Sequence, residues 1–225
     1  MSGDRPVYDE WVRLGRGDAL VVVDMQIDFM PGGALAVKDG DAVVAGVNSL
    51  MKRFHGAGHP VVLTQDWHAP DHASFASAHT GKNPFEPFEA PGIGPVLWPD
   101  HCVQGTPGAE FHKGLKTQYA EAIIRKGLRR DIDSYSGFRE HDGKTPTGLD
   151  GYLRGRGVER IFLCGLALDY CVFFTAADGA DLGYAVYVVM NLTKPVGSPS
   201  DSISNALETM TEKGVHFIGS EEIRL

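Results

Sequence analysis

Short apolar runs alternate along the chain with stretches whose apolar residues recur at helical spacing. Residues 19–23, Ala-Leu-Val-Val-Val, form a β-branched run that suits a strand buried on both faces. Residues 60–65 repeat the pattern, with Asp66 at the carboxyl end, and 121–126 form a third run that stops at Lys126. A fourth strand is predicted over 160–164 with a tight turn at Gly165, a fifth over 185–189 and a short last one over 215–218. Between them, Val43, Val47, Leu50, Met51 and Phe54 predict a helix ending at Gly56. Leu149 to Leu153 marks a second helix. Val172, Phe173 and Ala176 mark a third, starting near Cys171 with Asp169 or Tyr170 at its cap, and Ile203, Leu207 and Met210 a fourth. Strands alternating with helices imply an α/β fold, a three-layer α/β/α sandwich around a mostly parallel sheet of about six strands. One domain over 1–225, with a core of about 18–220, is expected.

Residues 67–121 break the pattern. They hold seven of the 13 prolines and five of the nine histidines, and Trp67, Phe75, Phe85, Phe88, Trp98 and Phe111 argue that the segment is ordered. A patternless stretch of that length inside a compact chain points to function.

Composition narrows the class. With 43% hydrophobic and 22% charged residues, a substantial core is available. A net charge of −8 without a basic cluster argues against nucleic acid or an anionic membrane as partner. No apolar run approaches membrane-spanning length, and Met1 to Pro6 lacks the pattern of a secretory signal. Three cysteines without Cys-x-x-Cys spacing do not make a disulfide framework, so a reducing cytoplasm is expected.

Chemistry concentrates where strands end. In an open parallel sheet the ligand crevice lies at the carboxyl ends of the strands, and Asp24, Asp66, Lys126 and Cys171 sit at or just beyond such ends. A cysteine at a helix amino end lies where backbone N–H groups favour the thiolate. Each residue has a structural alternative: core filling for Cys171, a cap for Asp24, a solvated amine for Lys126. Together, an ammonium that steadies a thiolate and a carboxylate that relays its proton would suffice for acyl transfer on an amide. Asp66 and His68, two apart on an extended strand, share one side, and His72 and His101 are candidate further ligands. An oxygen and nitrogen set suits zinc, manganese or iron, and His72 is equally placed to fix its own loop. Cys164 reads as core, and Cys102 suggests no role.

The stretches Val-Asp24-Met-Gln-Ile-Asp-Phe29, Gln-Asp66-Trp-His68, Trp98-Pro-Asp-His101-Cys-Val, Arg-Lys126-Gly, Asp133-Ser-Tyr135-Ser-Gly-Phe and Gly165-Leu-Ala-Leu-Asp-Tyr-Cys171-Val resemble, in order, the motifs of the nicotinamidase (pyrazinamidase) family. That family lies within the isochorismatase-like, or cysteine hydrolase, superfamily, and the resemblance spans about residues 18–220. It implies Asp24, Lys126 and Cys171 as the catalytic triad and Asp66, His68 and His101 as ligands of one divalent metal ion, zinc first, with manganese or iron as alternatives. It implies a cis peptide at Leu166–Ala167, an oxyanion hole of the Ala167 and Cys171 amides, and Phe29, Trp98, Tyr135 and Leu166 around the substrate. The implied reaction converts nicotinamide to nicotinate and ammonia through a thioester, with the metal on the pyridine nitrogen, in NAD salvage; pyrazinamide is a further expected substrate. A homo-oligomer is compatible with the sequence. The rival readings are a cysteine hydrolase acting on a carbamoyl or ureido substrate, a metal-binding module without catalysis, and an isochorismate-type lyase or ether hydrolase, whose chemistry does not need Cys171.

Overall fold

The computed structural model describes residues 11–225, so the segment Met1 to Pro6 read for a secretory signal lies outside the described residues. In chain order the strands are β1 (Val12–Arg13), β2 (Asp18–Val23), β3 (Val61–Asp66), β4 (Ala122–Lys126), β5 (Arg160–Leu166), β6 (Ala185–Lys194), β7 (His216–Ile218) and β8 (Ile223–Arg224). The helices are α1 (Val44–Gly56), α2 (Leu149–Gly155), α3 (Phe173–Asp181) and α4 (Ser202–Glu212). Strands β2 to β7 form one six-stranded sheet in the order β4-β3-β2-β5-β6-β7, parallel at every pairing. The short β1 and β8, invisible in the sequence pattern, pair with each other in a separate two-stranded sheet.

Hydrophobic pattern explains strand position. Every residue of β2 and β3 is buried, as a strand covered on both faces requires, and these two lie inside the sheet. Strand β4 alternates between half-buried and exposed positions because it is an edge. The chain passes from β2 to β3 in one direction along the sheet and from β5 to β6 in the other. Right-handed crossovers therefore put α1 and α3 on opposite faces. The reversal falls between β2 and β5, the place where an open α/β sheet leaves a crevice at its carboxyl edge. No helix among the described residues is long and apolar enough to cross a membrane.

Two expectations about the fourth predicted strand need correction. The strand does not stop at Cys164 with a turn at Gly165; β5 runs through Gly165 to Leu166, with a register shift against β6 between Leu163 and Gly165. Gly165 is needed because its φ is +106° and a Cβ there would lie 2.1 Å from the Val23 carbonyl oxygen. Nor does the helix begin at Cys171. Leu168–Val172 is a single π-helical turn that leads into α3, and such turns recur at functional sites. Asp169 does not cap it. Its carboxylate instead accepts hydrogen bonds from Val196 N, Gly197 N and Ser202 Oγ. Strand β6 also continues five residues past the predicted end at Val189, to Lys194.

Candidate active site

The carboxyl ends of β2, β3, β4 and β5 bring Asp24, Asp66, Lys126 and Cys171 into one buried cluster. Asp24 follows β2 with φ +45°, a conformation that non-glycine residues seldom hold outside functional sites. Thr64, the polar residue in the run of β3, donates to Asp24 Oδ1 at 2.6 Å and accepts from the Asp24 amide at 3.2 Å. Lys126 is fully buried. Its ammonium donates to Asp66 Oδ1, to the Ser134 carbonyl at 3.3 Å and to Cys171 Sγ at 3.5 Å. Asp24 Oδ2 lies 3.0 Å from the same nitrogen but accepts no aligned hydrogen bond. Asp24 thus offers a carboxylate, ion-paired with Lys126, within 4.8 Å of the Cys171 sulfur, close enough to exchange a proton with it.

Electrostatics depart from the helix-end argument. Burial pushes the Cys171 thiol well above its ordinary pKa, and the nearby Asp24 carboxylate adds to this while Lys126 opposes it. Burial likewise raises Asp24, against the pull of Lys126. Burial thus opposes ionisation of both the Cys171 thiol and the Asp24 carboxyl beside it. Burial works against ionisation of Asp66, but the Lys126 ammonium together with His68 and His101 outweighs it and holds the carboxyl below the usual range.

Asp66 has two roles at once. While Oδ1 accepts a hydrogen bond from the Lys126 ammonium, Oδ2 faces His68 Nε2 at 3.7 Å and His101 Nε2 at 4.0 Å. The three donor atoms lie within 4.8 Å of one another, all buried. His101 Nδ1 is held by the Pro99 carbonyl at 2.8 Å, which aims Nε2 at Asp66. Burial and the neighbouring His68 bring His101 down to about 4, leaving its ring neutral with a free lone pair at neutral pH. For His68, burial opposes the charged form, but Asp66 outweighs it and raises the pKa. His68 Nδ1 is buried with no hydrogen-bond partner among the described residues. One carboxylate oxygen and two imidazoles fit a divalent cation. Asp24, Asp66 and Cys171 also lie within ligand distance of one another, but the Lys126 ammonium occupies the middle of that set and would repel a cation.

His72 is excluded from the donor set by its own bonds. Its Nδ1 pairs with Ser74 Oγ at 2.8 Å and its Nε2 with the Ile132 carbonyl at 3.1 Å, so it fixes the loop and packs on the His68 ring.

A cavity of about 360 Å³, counting its mouth, lies over the cluster. Cys171, Ala167, Asp66, His68 and His101 line its floor, with Phe29, Trp98 and Tyr135 among its walls. Trp98 donates its indole N–H to Tyr135 Oη at 2.9 Å, and the Tyr135 hydroxyl lies 2.7 Å from Asp133 Oδ2, which fixes two of the flat faces. The peptide bond between Leu166 and Ala167 is cis. Leu166 differs from expectation: its side chain is fully buried toward Gly40 and does not line the cavity. Asp133, Tyr170 and Val196 line it without having been singled out. For Asp133 and Tyr170 the available signal was their place inside otherwise recognisable motifs; Val196 carried none.

An α/β fold with a cysteine, a lysine and a carboxylate at the switch point defines a class, and comparison with known proteins narrows it. Residues 18–222 match the model of the isochorismatase domain. The chain belongs to the isochorismatase family. A nicotinamidase of Acinetobacter baylyi is 45% identical over 205 residues, covering 91% of this chain and 94% of that protein. A solved nicotinamidase and pyrazinamidase of Acinetobacter baumanii superimposes with a TM-score of 0.88 at 45% identity, covering 92% of this chain and 98% of that one. A Pyrococcus horikoshii pyrazinamidase solved in complex with zinc gives 0.74 at 39% identity, covering 90% and 99%.

Proposed function

We propose that the protein hydrolyses nicotinamide to nicotinate and ammonia, as a step of NAD salvage, with Cys171 as nucleophile. The observation that carries this is the buried Asp24–Lys126–Cys171 cluster, whose Cys171 lines an aromatic-walled cavity together with Asp66, His68 and His101.

Asp24 Oδ2 takes the thiol proton as Sγ attacks the carboxamide carbon. Lys126 stays protonated, since burial opposes its charge but two carboxylates outweigh that and push its pKa well up. It steadies the sulfur as negative charge forms. The carbonyl oxygen becomes an oxyanion received by the backbone N–H groups of Ala167 and Cys171. Asp24 then returns its proton to the departing nitrogen, ammonia leaves, and a thioester remains. In the second half Asp24 removes a proton from water, which attacks the thioester carbon, and that proton goes back to Sγ as nicotinate is released.

Asp66, His68 and His101 would hold the metal, proposed to be zinc by likeness to the Pyrococcus protein. When bound, it supplies a Lewis acid for the lone pair of the ring nitrogen. Phe29, Trp98 and Tyr135 flank the ring, and the six-membered diazine amide pyrazinamide fits the same walls. One domain over the whole chain and a cytoplasmic setting complete the reading; all three cysteines are unpaired.

The test is ammonia release from nicotinamide by the purified protein, before and after chelation and zinc restoration. Release that falls on chelation and returns with zinc is expected. Activity confined to carbamoyl compounds would discard the substrate while leaving the triad.

A further inference from the structure

The motif that supplies Asp24 and Phe29 also contains Gln26 and Asp28, to which the mechanism gives no role. Gln26 is fully buried. Its side-chain carboxamide behaves as a strand would: Oε1 accepts from the Asp66 amide at 2.8 Å and Nε2 donates to the Asp66 carbonyl at 2.7 Å. The same Nε2 reaches the Ala109 carbonyl at 2.9 Å. Asp66 is thereby held at both main-chain polar groups from β2's side.

Asp28 acts on the other half of the donor set. Its Oδ2 accepts from the Cys102 amide at 2.7 Å, one residue past His101. Cys102 holds φ +46°, which an L-residue keeps only when its surroundings over-determine it. Its carbonyl accepts from the His68 amide at 3.0 Å, so one strained residue joins the backbones of both histidines. Gly108 packs so closely that a Cβ there would lie 2.1 Å from Asp28 Oδ2, which confines the carboxylate to this position.

We propose that Gln26 and Asp28 form a two-armed clamp that sets metal affinity, one arm fixing Asp66 and the other fixing His68 and His101 through Cys102. Both are positioning residues. They place the ligands within reach of one cation from the same loop that delivers the catalytic base, so base and metal set are held in register. The inference rests on the reading that Asp66, His68 and His101 bind a metal.

The experiment is zinc titration against a competing chelator for the wild type, Asp28→Ala, Gln26→Met and the double variant Asp28→Ala/Cys102→Gly, with thermal unfolding of each metal-free protein alongside. Loss of a partner that orients ligands costs roughly 10- to 100-fold in metal affinity. That loss is expected for both single variants, beyond any change in metal-free stability. Glycine adopts a positive φ without strain, so Cys102→Gly should recover part of the affinity lost in Asp28→Ala. A general packing defect would not be rescued in this way. Wild-type affinity in the folded single variants, or no recovery in the double variant, overturns the clamp. Absence of zinc binding by the wild type itself would instead overturn the metal reading. If Asp28→Ala does not fold, Asp28→Leu, of similar size but without an acceptor oxygen, takes its place with the same criteria.

Discussion

Strands β2 and β5 carry an acidic–basic arrangement at each end, and the two ends are built to opposite principles. At the amino ends, Asp18 and Arg160 form a bidentate pair, 2.7 Å from Arg160 Nε to Oδ1 and 2.5 Å from Nη2 to Oδ2. The Gly15 amide adds a donor to Asp18 at 2.7 Å, and Arg160 also reaches the Arg13 carbonyl at 2.8 Å. Both Asp18 oxygens are satisfied. At the carboxyl ends, one ammonium is shared among two carboxylates and a thiol, Asp24 Oδ2 lacks an aligned donor, and Asp24 has a positive φ. Closed pairing makes an anchor. Open pairing makes a base, at a cost in stability that the well-paired end and the core must offset.

The contrast predicts variants of very different size. Cys171→Ala should lower nicotinamide turnover by roughly 10⁴-fold or more while zinc content, measured by atomic absorption, is retained; a turning-over alanine variant would end the thioester mechanism. Lys126→Met should abolish activity and also cost about 3–5 kcal/mol in unfolding by denaturant, because it leaves two buried carboxylates facing a thiol. Asp24→Asn should reduce kcat by about 10²- to 10⁴-fold. The pH profile sharpens this: burial holds Asp24 above the ordinary carboxylate value, and the base works only when ionised. As pH falls through that raised pKa, kcat/KM should decline, with the acid limb above the range of an exposed carboxyl and absent in the Asn variant's residual rate.

Gly127→Ala probes the metal side of the same end. A Cβ there would lie 2.4 Å from His68 Cε1 and φ is +71°, so zinc affinity should drop by roughly tenfold or more. The anchor should behave in the opposite sense. Asp18→Ala should cost about 1–3 kcal/mol, with kcat within experimental error of wild type. Arg160 keeps a quarter of its side chain exposed, so water takes over part of its hydration and the loss stays moderate. A large fall in kcat from that variant would erase the distinction between the two ends.

Much of the site was legible along the chain because the relevant signals are local. Apolar runs that stop at a charge mark strand ends, and the topology of parallel sheets then gathers those ends on one edge. Asp24, Asp66, Lys126, His68, His101 and Cys171 were all placed in this way or by resemblance, and the structure brings them together. Gln26 and Asp28 stood in the same motif but showed no role, since their partners lie 40 and 74 positions away. The choice of His101 over His72 came from the resemblance alone, not from any local pattern. Only folding pairs both His72 nitrogens with Ser74 and Ile132. The local argument for a thiolate at Cys171 is opposed by burial, which pushes the thiol up and depends on the whole fold.

By itself, then, the sequence determined the strand and helix order, the parallel sheet and the chemical types available at its carboxyl edge, through short-range periodicity and the fixed handedness of crossovers. Tertiary structure decided what those types do. It carried β5 through Gly165, seated Cys171 in a π-helical turn, turned Leu166 away from the cavity and set one Lys126 ammonium between Asp24, Asp66 and Cys171. Those outcomes depend on burial and on distances between residues far apart in the chain, quantities that no local pattern contains.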